Sequence, residues 1–407
     1  MSLVPSPVGI DAAAQQRNLD LLLHVGAIPT AAGREGRVLR WLGAWLAGRP
    51  ALTHRVDASG NVHVEFADKR GLAPGRPIYF TAHLDHPAFV VERIIAPAVV
   101  ELAFRGGVMD DYFPGAPVVA YDADDNTARG RITGAADTSA GPFKHYLCDL
   151  DAALPALRVG DIAVWDVGPP RAADGFAYVP ACDDLSAVAA MAGAMDALIA
   201  RKEAGDEKLA DARLLFTRAE EVGFIGAIGA VREGTMQRDA RVIALENSRA
   251  FPESPVGAGP IVRVGDRLSV FSPTLTDAIA KRAEQLAGAP STPRASEKLA
   301  AGPAWKWQRK LMAGGACEAS VYYAAGYEAT CVCLPLGNYH NMADLAAVQA
   351  GTNTSPPTIA PEFIGVSDYH ALIDLLVGCA TGLPEGESAV QQMTSRLWKE
   401  RAFVLDS

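Results

Sequence analysis

Arg213 to Ala227 constrains this chain more than any other stretch. It begins as an apolar strand, Leu214 to Phe216, and ends in two adjacent carboxylates, Glu220 and Glu221, followed by Gly223 and Gly226. Adjacent acids repel and are costly to hold away from water. At the end of a buried strand such a pair calls for a cation. The competing reading is a solvated turn, because short motifs also match by accident. The other segments decide between the two.

A chain of 407 residues suits two domains, or one large domain with an insertion. Its 49% hydrophobic and 21% charged residues are those of a globular protein with a sizeable core. The net charge of -10, with no basic run, argues against a nucleic-acid partner. The cysteines are Cys148, Cys182, Cys317, Cys331, Cys333 and Cys379, and none forms a C-x-x-C pair. Cys331 and Cys333 face the same side of a strand. Reduced thiols and a cytoplasmic location are the simple reading. The N-terminus lacks a positive region before an apolar core, so no secretory signal is expected. The most apolar helix, Leu185 to Ala200, carries Asp196 and is too short to span a bilayer, so no membrane partner is expected either.

Residues 11–48 have helical spacing, broken by Gly26 to Gly33. Residues 52–67 alternate as a strand pair about Ser59-Gly60. Pro77 to Ala82 is a short buried strand that delivers His83 and Asp85, which point the same way on an extended chain. His83 has the form of a ligand and Asp85 that of the acid supporting it, although a histidine can also end a strand without chemical purpose. Residues 92–175 change texture, with short apolar runs between Gly, Pro, Asp and Asn, as in a small β-barrel or sandwich closed by Pro169-Pro170. Asp183-Asp184 precede the long apolar helix; they serve either as helix caps or as a carboxylate bridging two ions. Val242 to Leu245 ends in Glu246, and Thr330 to Leu334 leads to His340. A Pro/Ser/Ala-rich loop is expected around 288–304, a helix follows Gly314-Gly315, and Asp368 to Leu376 is helical. Leu397-Trp398 is expected to add a last contact.

Strand–helix alternation predicts an α/β fold with a mostly parallel sheet. Such sheets build sites at the carboxyl ends of their strands. Here those ends carry His83, Glu220, Glu221, Glu246 and His340, with Asp183 on a loop within reach. Two imidazoles and several carboxylates suit a pair of divalent ions, Zn²⁺ above all, with Co²⁺ or Mn²⁺ as alternatives.

The ordered set resembles the co-catalytic dinuclear zinc aminopeptidases, and within them the tetrahedral and glutamyl aminopeptidase family. The pieces that carry the likeness are His83-x-Asp85, Asp183-Asp184, Glu220-Glu221-Val-Gly-Phe-x-Gly-Ala, Glu246, Gly314-Gly315 and His340, with Phe104-Arg-Gly-Gly, Phe113-Pro-Gly and Arg158-Val-Gly-Asp161 in the insertion. The resemblance implies a three-layer, mostly parallel sheet flanked by helices, with an inserted small all-β domain. Residues 1–91 and 176–407 would form the catalytic α/β domain and 92–175 the inserted barrel-like one. It implies His83 as a ligand of one metal with Asp85 beside it, and Asp183 as the bridge. Glu220 is then the general base acting on a metal-bridging water, Glu221 and His340 are ligands of the second metal, and Glu246 completes the first. It also implies peptide substrates cut at their N-terminal residue, and a homo-oligomer, a dimer or larger, assembled through the β domain. His86, Leu185, Glu246 and Cys317-Glu318 depart from the family's usual residues. The same residue set also serves N-acyl amino-acid deacylases and carboxypeptidases, and a scaffold without activity would retain the fold.

Overall fold

The structure is a computed structural model and describes residues 4–136, 141–292, 304–384 and 389–405; the Pro/Ser/Ala-rich loop expected around 288–304 lies for the most part outside them. In chain order the elements begin with helices α1 (Ala12–Val25) and α2 (Gly36–Ala47), then strands β1 (Leu52–Val56), β2 (Val62–Phe66) and β3 (Ile78–His83). Next come β4 (Ala88–Ala96), β5 (Val99–Arg105), β6 (Pro117–Tyr121), β7 (Thr127–Ala135), β8 (Lys144–Leu150) and β9 (Ile162–Trp165). They are followed by β10 (Arg171–Ala173), β11 (Phe176–Val179), α3 (Leu185–Glu203), β12 (Ala212–Thr217), α4 (Ile225–Glu233) and β13 (Arg241–Arg249). The rest comprises β14 (Ile261–Gly265), α5 (Pro273–Ala287), β15 (Gln308–Leu311), α6 (Glu318–Ala324), β16 (Glu328–Leu336), α7 (Leu345–Ala350), β17 (Glu362–Gly365), α8 (Val366–Ala380) and α9 (Ala389–Arg401).

The fold is mixed α/β. Its main sheet runs β1-β2-β12-β3-β13-β16-β14-β15. The centre, β12-β3-β13-β16, is parallel. The sequence led us to expect parallel order more widely, but β1 and β2 form an antiparallel hairpin, β2 meets β12 antiparallel, and β14 meets β16 antiparallel. A tight turn at Ser59-Gly60 can join strands only in opposite directions. Side chains alternate across the sheet. Ile78, Phe80, Leu214, Phe216 and Ile243 enter one core with α1, α3, α5 and α8, while Tyr79, Leu215, Val242, Cys331 and Cys333 enter another with α4 and α6. Burial on both faces explains why these strands are continuous apolar runs.

Strands β4-β5-β8-β7-β6-β9 close into a barrel. Its interior holds Phe89, Phe104, Phe113, Tyr146 and Trp165, with Phe113 and Tyr146 stacked at 4.0 Å between centroids. β10, β11 and β17 make a separate small sheet. Of the pair expected to add a last contact, Trp398 on helix α9 is 68% exposed and Leu397 is half-buried. No helix among the described residues is long and apolar enough to cross a membrane. All six cysteines are free and buried.

A buried polar ladder on the second face yields a pH prediction. The Tyr79 hydroxyl accepts from Arg213 Nη1 at 3.0 Å and donates to His63 Nε2 at 3.0 Å, which leaves His63 neutral. Burial, helped by Arg55, pushes the His63 pKa down to about 4. The unfolded imidazole titrates near 6.5. Below that pH the unfolded chain binds a proton that the folded chain refuses. Stability is therefore complete above pH 6.5 and is lost as pH falls toward 4, by about 3 kcal/mol at most. His63→Gln keeps an acceptor for Tyr79 but cannot titrate. Its melting temperature should fall less than the parent's between pH 6.5 and pH 4.

Candidate metal centre and active site

Parallel register brings the first site residues together, since Thr217 at the end of β12 pairs with His83 at the end of β3. Beyond Thr217 the backbone turns sharply through Ala219 (φ 53) and Gly223 (φ 112). At Gly226 a Cβ would lie 2.4 Å from the backbone N and O of Arg218, so only glycine lets the chain close on itself here. The turn presents Glu220 and Glu221 at the sheet edge. Asp85 fixes it, accepting from the backbone N–H of Glu220 and of Glu221, each at 3.0 Å. Buried Glu35 adds a second hold, accepting from Ala219 N–H at 3.0 Å and from Arg218 Nε at 2.8 Å. Glu246 lies within β13, and its Oε1 accepts from Asn247 N–H at 3.0 Å. His340 follows β16 in a short turn with φ 54. Asp183 and Asp184 lie between β11 and α3. Asp184 stands at the cap position of α3, yet its side chain makes no capping bond.

These residues converge. His83 Nε2 is 3.4 Å from Asp183 Oδ1 and 3.9 Å from both Glu220 Oε2 and Glu246 Oε1. His340 Nε2 is 3.4 Å from Asp183 Oδ2 and 3.5 Å from Glu221 Oε1. Every residue the sequence nominated, His83, Asp85, Asp183, Glu220, Glu221, Glu246 and His340, belongs to or directly supports this cluster. Both imidazoles are oriented from behind. His83 Nδ1 donates to the Asp85 carbonyl at 3.1 Å, and His340 Nδ1 donates to the Gly107 carbonyl at 2.6 Å. With the proton at Nδ1, each Nε2 offers a lone pair to oxygens that are themselves acceptors. His83 Nε2, Asp183 Oδ1 and both oxygens of Asp184 are buried with no hydrogen-bond partner. A cation would satisfy one atom of each of these residues at once.

The electrostatics agree. Burial raises Glu220 and Glu221 well above the usual carboxylate range, raises Asp184 likewise, and pushes Glu246 up to about 7. Burial also acts on Asp183, but the two imidazoles that face its oxygens, His340 and His83, outweigh it and lower this one carboxyl. Burial opposes charge on His83, yet Glu220 and its neighbours raise it. A protein that crowds these acids out of water without positive charge among them would neutralise several of them.

The cluster forms one wall of a cavity of about 370 Å³. Met109, Phe251, Met312, Met342 and Leu345 supply apolar lining, and Arg249 and Arg263 also reach the cavity. Glu318 is buried beside the cluster, with its carboxyl pushed up to about 7 by burial, but neither it nor Cys317 lines the cavity. His86 bonds the Asp183 carbonyl through Nδ1 and Asn341 Oδ1 through Nε2, tying the two loops together.

The sequence left Asp184 between a helix cap and a cation site; it makes no capping bond and lies in the group formed with His83, Asp183 and Glu246. One residue escaped the sequence reading of the site. Glu362 organises two of the site's loops through backbone amides.

A mixed α/β sheet with acids and imidazoles gathered at its strand ends is the arrangement of a metal-dependent hydrolase. The chain belongs to the M42 glutamyl aminopeptidase family, whose profile matches residues 60–287. That stretch carries His83, Asp85, Asp183, Glu220, Glu221 and Glu246; His340 lies beyond it. The fold is that of the TET1 peptidase of Pyrococcus horikoshii, described as assembling into a tetrahedron or a large octahedral shell, with TM-score 0.69, 20% identity and coverage of 90% of this chain and 100% of that one. It is also that of the aminopeptidase APDkam598 of Desulfurococcus kamchatkensis, with TM-score 0.68, 19% identity and coverage of 90% and 95%. A Thermotoga maritima protein described as an endoglucanase shares it at TM-score 0.58 and 17% identity, covering 88% and 96%, so the fold by itself does not select a reaction. A comparison with curated proteins gives no match.

Proposed function

We propose that the chain is an aminopeptidase that holds two divalent cations, zinc in the first place, and removes N-terminal residues from peptides. The observation that carries this reading is Asp183, whose two oxygens each face a different imidazole at 3.4 Å. Tetrahedral zinc with donors at about 2.0–2.1 Å separates them by about 3.4 Å, so the spacing fits the ion while exceeding a charged hydrogen bond. His83, Asp183 and Glu246 would hold one ion, with Asp184 beside them, and Asp183, Glu221 and His340 the other. Bound there, the ions supply positive charge that acidifies water and polarises a carbonyl.

The chain's own groups do the rest. Glu220 takes a proton from the attacking water and returns it to the departing amine nitrogen as the peptide C–N bond breaks. Asp85 keeps Glu220 and Glu221 in register by holding both amides. The acidic wall of the cavity favours a substrate's terminal ammonium, and the apolar wall receives its first side chain. We further read the sheet with its two helical flanks as the three layers of a zinc-peptidase domain, residues 1–91 and 176–407, and 92–175 as an inserted β unit; the two separate cores and the closed barrel support this. Exposed Ile94 and Ile95 on the barrel, and the shell-forming relative, support a homo-oligomer built through that unit. The free thiols support a cytoplasmic setting.

A substrate panel tests the assignment. Aminoacyl-nitroanilides and free peptides should be cleaved, whereas N-acylated amino acids and N-blocked peptides should not. Preferential hydrolysis of acylated amino acids would replace the aminopeptidase reading with a deacylase.

A further inference from the structure

Glu362 opens β17 and is fully buried. Both of its carboxylate oxygens are taken by backbone amides. Oε2 accepts from Cys182 N–H at 2.7 Å and from Asp183 N–H at 3.0 Å, and Oε1 accepts from His340 N–H at 2.7 Å. These amides belong to two loops remote from each other in sequence. The same loops set Asp183 Oδ2 and His340 Nε2 3.4 Å apart. The His340 loop is also conformationally demanding, with left-handed backbone at Asn338 (φ 52), His340 (φ 54) and Asn341 (φ 64). Non-glycine residues keep such angles only where their surroundings impose them. The ring of His340 is held by Gly107, and its backbone by Glu362.

We propose that Glu362 is a positioning residue of the cation site, a carboxylate clamp that fixes the separation between Asp183 and His340. It touches neither substrate nor cation, and acts through the two loops it joins. The chemistry of the clamp is specific. All three partners donate, so both heads of the side chain must accept, which a carboxylate does and a carboxamide cannot. Glutamine would turn an N–H₂ toward a buried N–H. The inference rests on Asp183 and His340 being ligands, and the experiment separates the two claims.

The metal-free protein is titrated with zinc against a chromophoric chelator. Glu362→Gln should bind zinc 10–100-fold more weakly at the Asp183–His340 site, the usual effect of losing a group that orients a ligand. Excess zinc should restore much of the turnover, and the visible spectrum of the Co²⁺-loaded variant should differ from the parent's. Its metal-free melting temperature should fall only modestly, because a buried amide donor is left unpaired. Parent-like zinc affinity and an unchanged cobalt spectrum would overturn the proposal. So would a lowered metal-free melting temperature with unchanged zinc affinity, which marks a purely structural residue. If the variant does not fold, hydrogen exchange on the metal-free parent decides: amides of Cys182, Asp183 and His340 should be protected, and exchange at free-loop rates would refute the clamp. His340→Ala runs alongside. If it loses zinc while Glu362→Gln does not, the clamp fails and the ligand reading stands; if it keeps full zinc, the ligand reading fails and the clamp with it.

Discussion

Glu220→Gln should leave the protein folded and fully loaded with metal while turnover falls 10²–10⁴-fold, the contribution typical of a positioned general base. Glutamine has the shape of glutamate but no basic oxygen. The exchange is tolerable structurally, because Asp85 holds residue 220 by its backbone N–H and not by its side chain. It is tolerable electrostatically too. Without cations in the cluster, burial already presses the Glu220 carboxyl toward its neutral form, so an uncharged side chain costs the metal-free fold little. The clean result is a collapse of kcat with parent-like elemental zinc content and parent-like KM. Equal turnover in purified parent and variant would remove Glu220 from its role. Loss of metal together with activity would instead make it a ligand.

Asp183→Asn should have a broader effect, because it removes a side chain that faces both imidazoles. An amide can present its single oxygen to one side only, and its N–H₂ then points at the other Nε2. Zinc content is expected to fall from two ions per chain toward one or none, with turnover lost by more than the 10–100-fold that a supporting residue commands. Thermal melting gives an independent measure. Zinc at 100 times its dissociation constant stabilises a folded protein by about 2.7 kcal/mol. Chelator-stripped parent should therefore melt higher when zinc is added, and the variant should gain little. An undiminished shift in the variant would show that the cations, if bound, do not share this carboxylate.

The central strands were legible because each is a short apolar run that stops at a residue with chemistry, as β3 stops at His83 and β13 runs into Glu246. The hairpin at Ser59-Gly60 was legible from turn composition. The sheet's antiparallel margins were less so, because strand direction is set by connections the residues do not announce. Asp184 was ambiguous for a different reason: helix capping and cation binding recruit the same residue type at the same place, and only the missing capping bond separates them. Glu362 was invisible. Its partners are amide protons, which every residue but proline carries, so no spacing or composition betrays the contact. Trp398 in a sequence looks like a packing residue whether or not a surface awaits it, and here it is exposed while Leu397 is half-buried.

The carbonyl of Gly107, just past β5, steers the ring of His340. Anyone trimming this chain to a minimal catalyst would therefore excise more than a wall. Cutting out the barrel frees an imidazole to spin, and the shortest version that works must still thread through it.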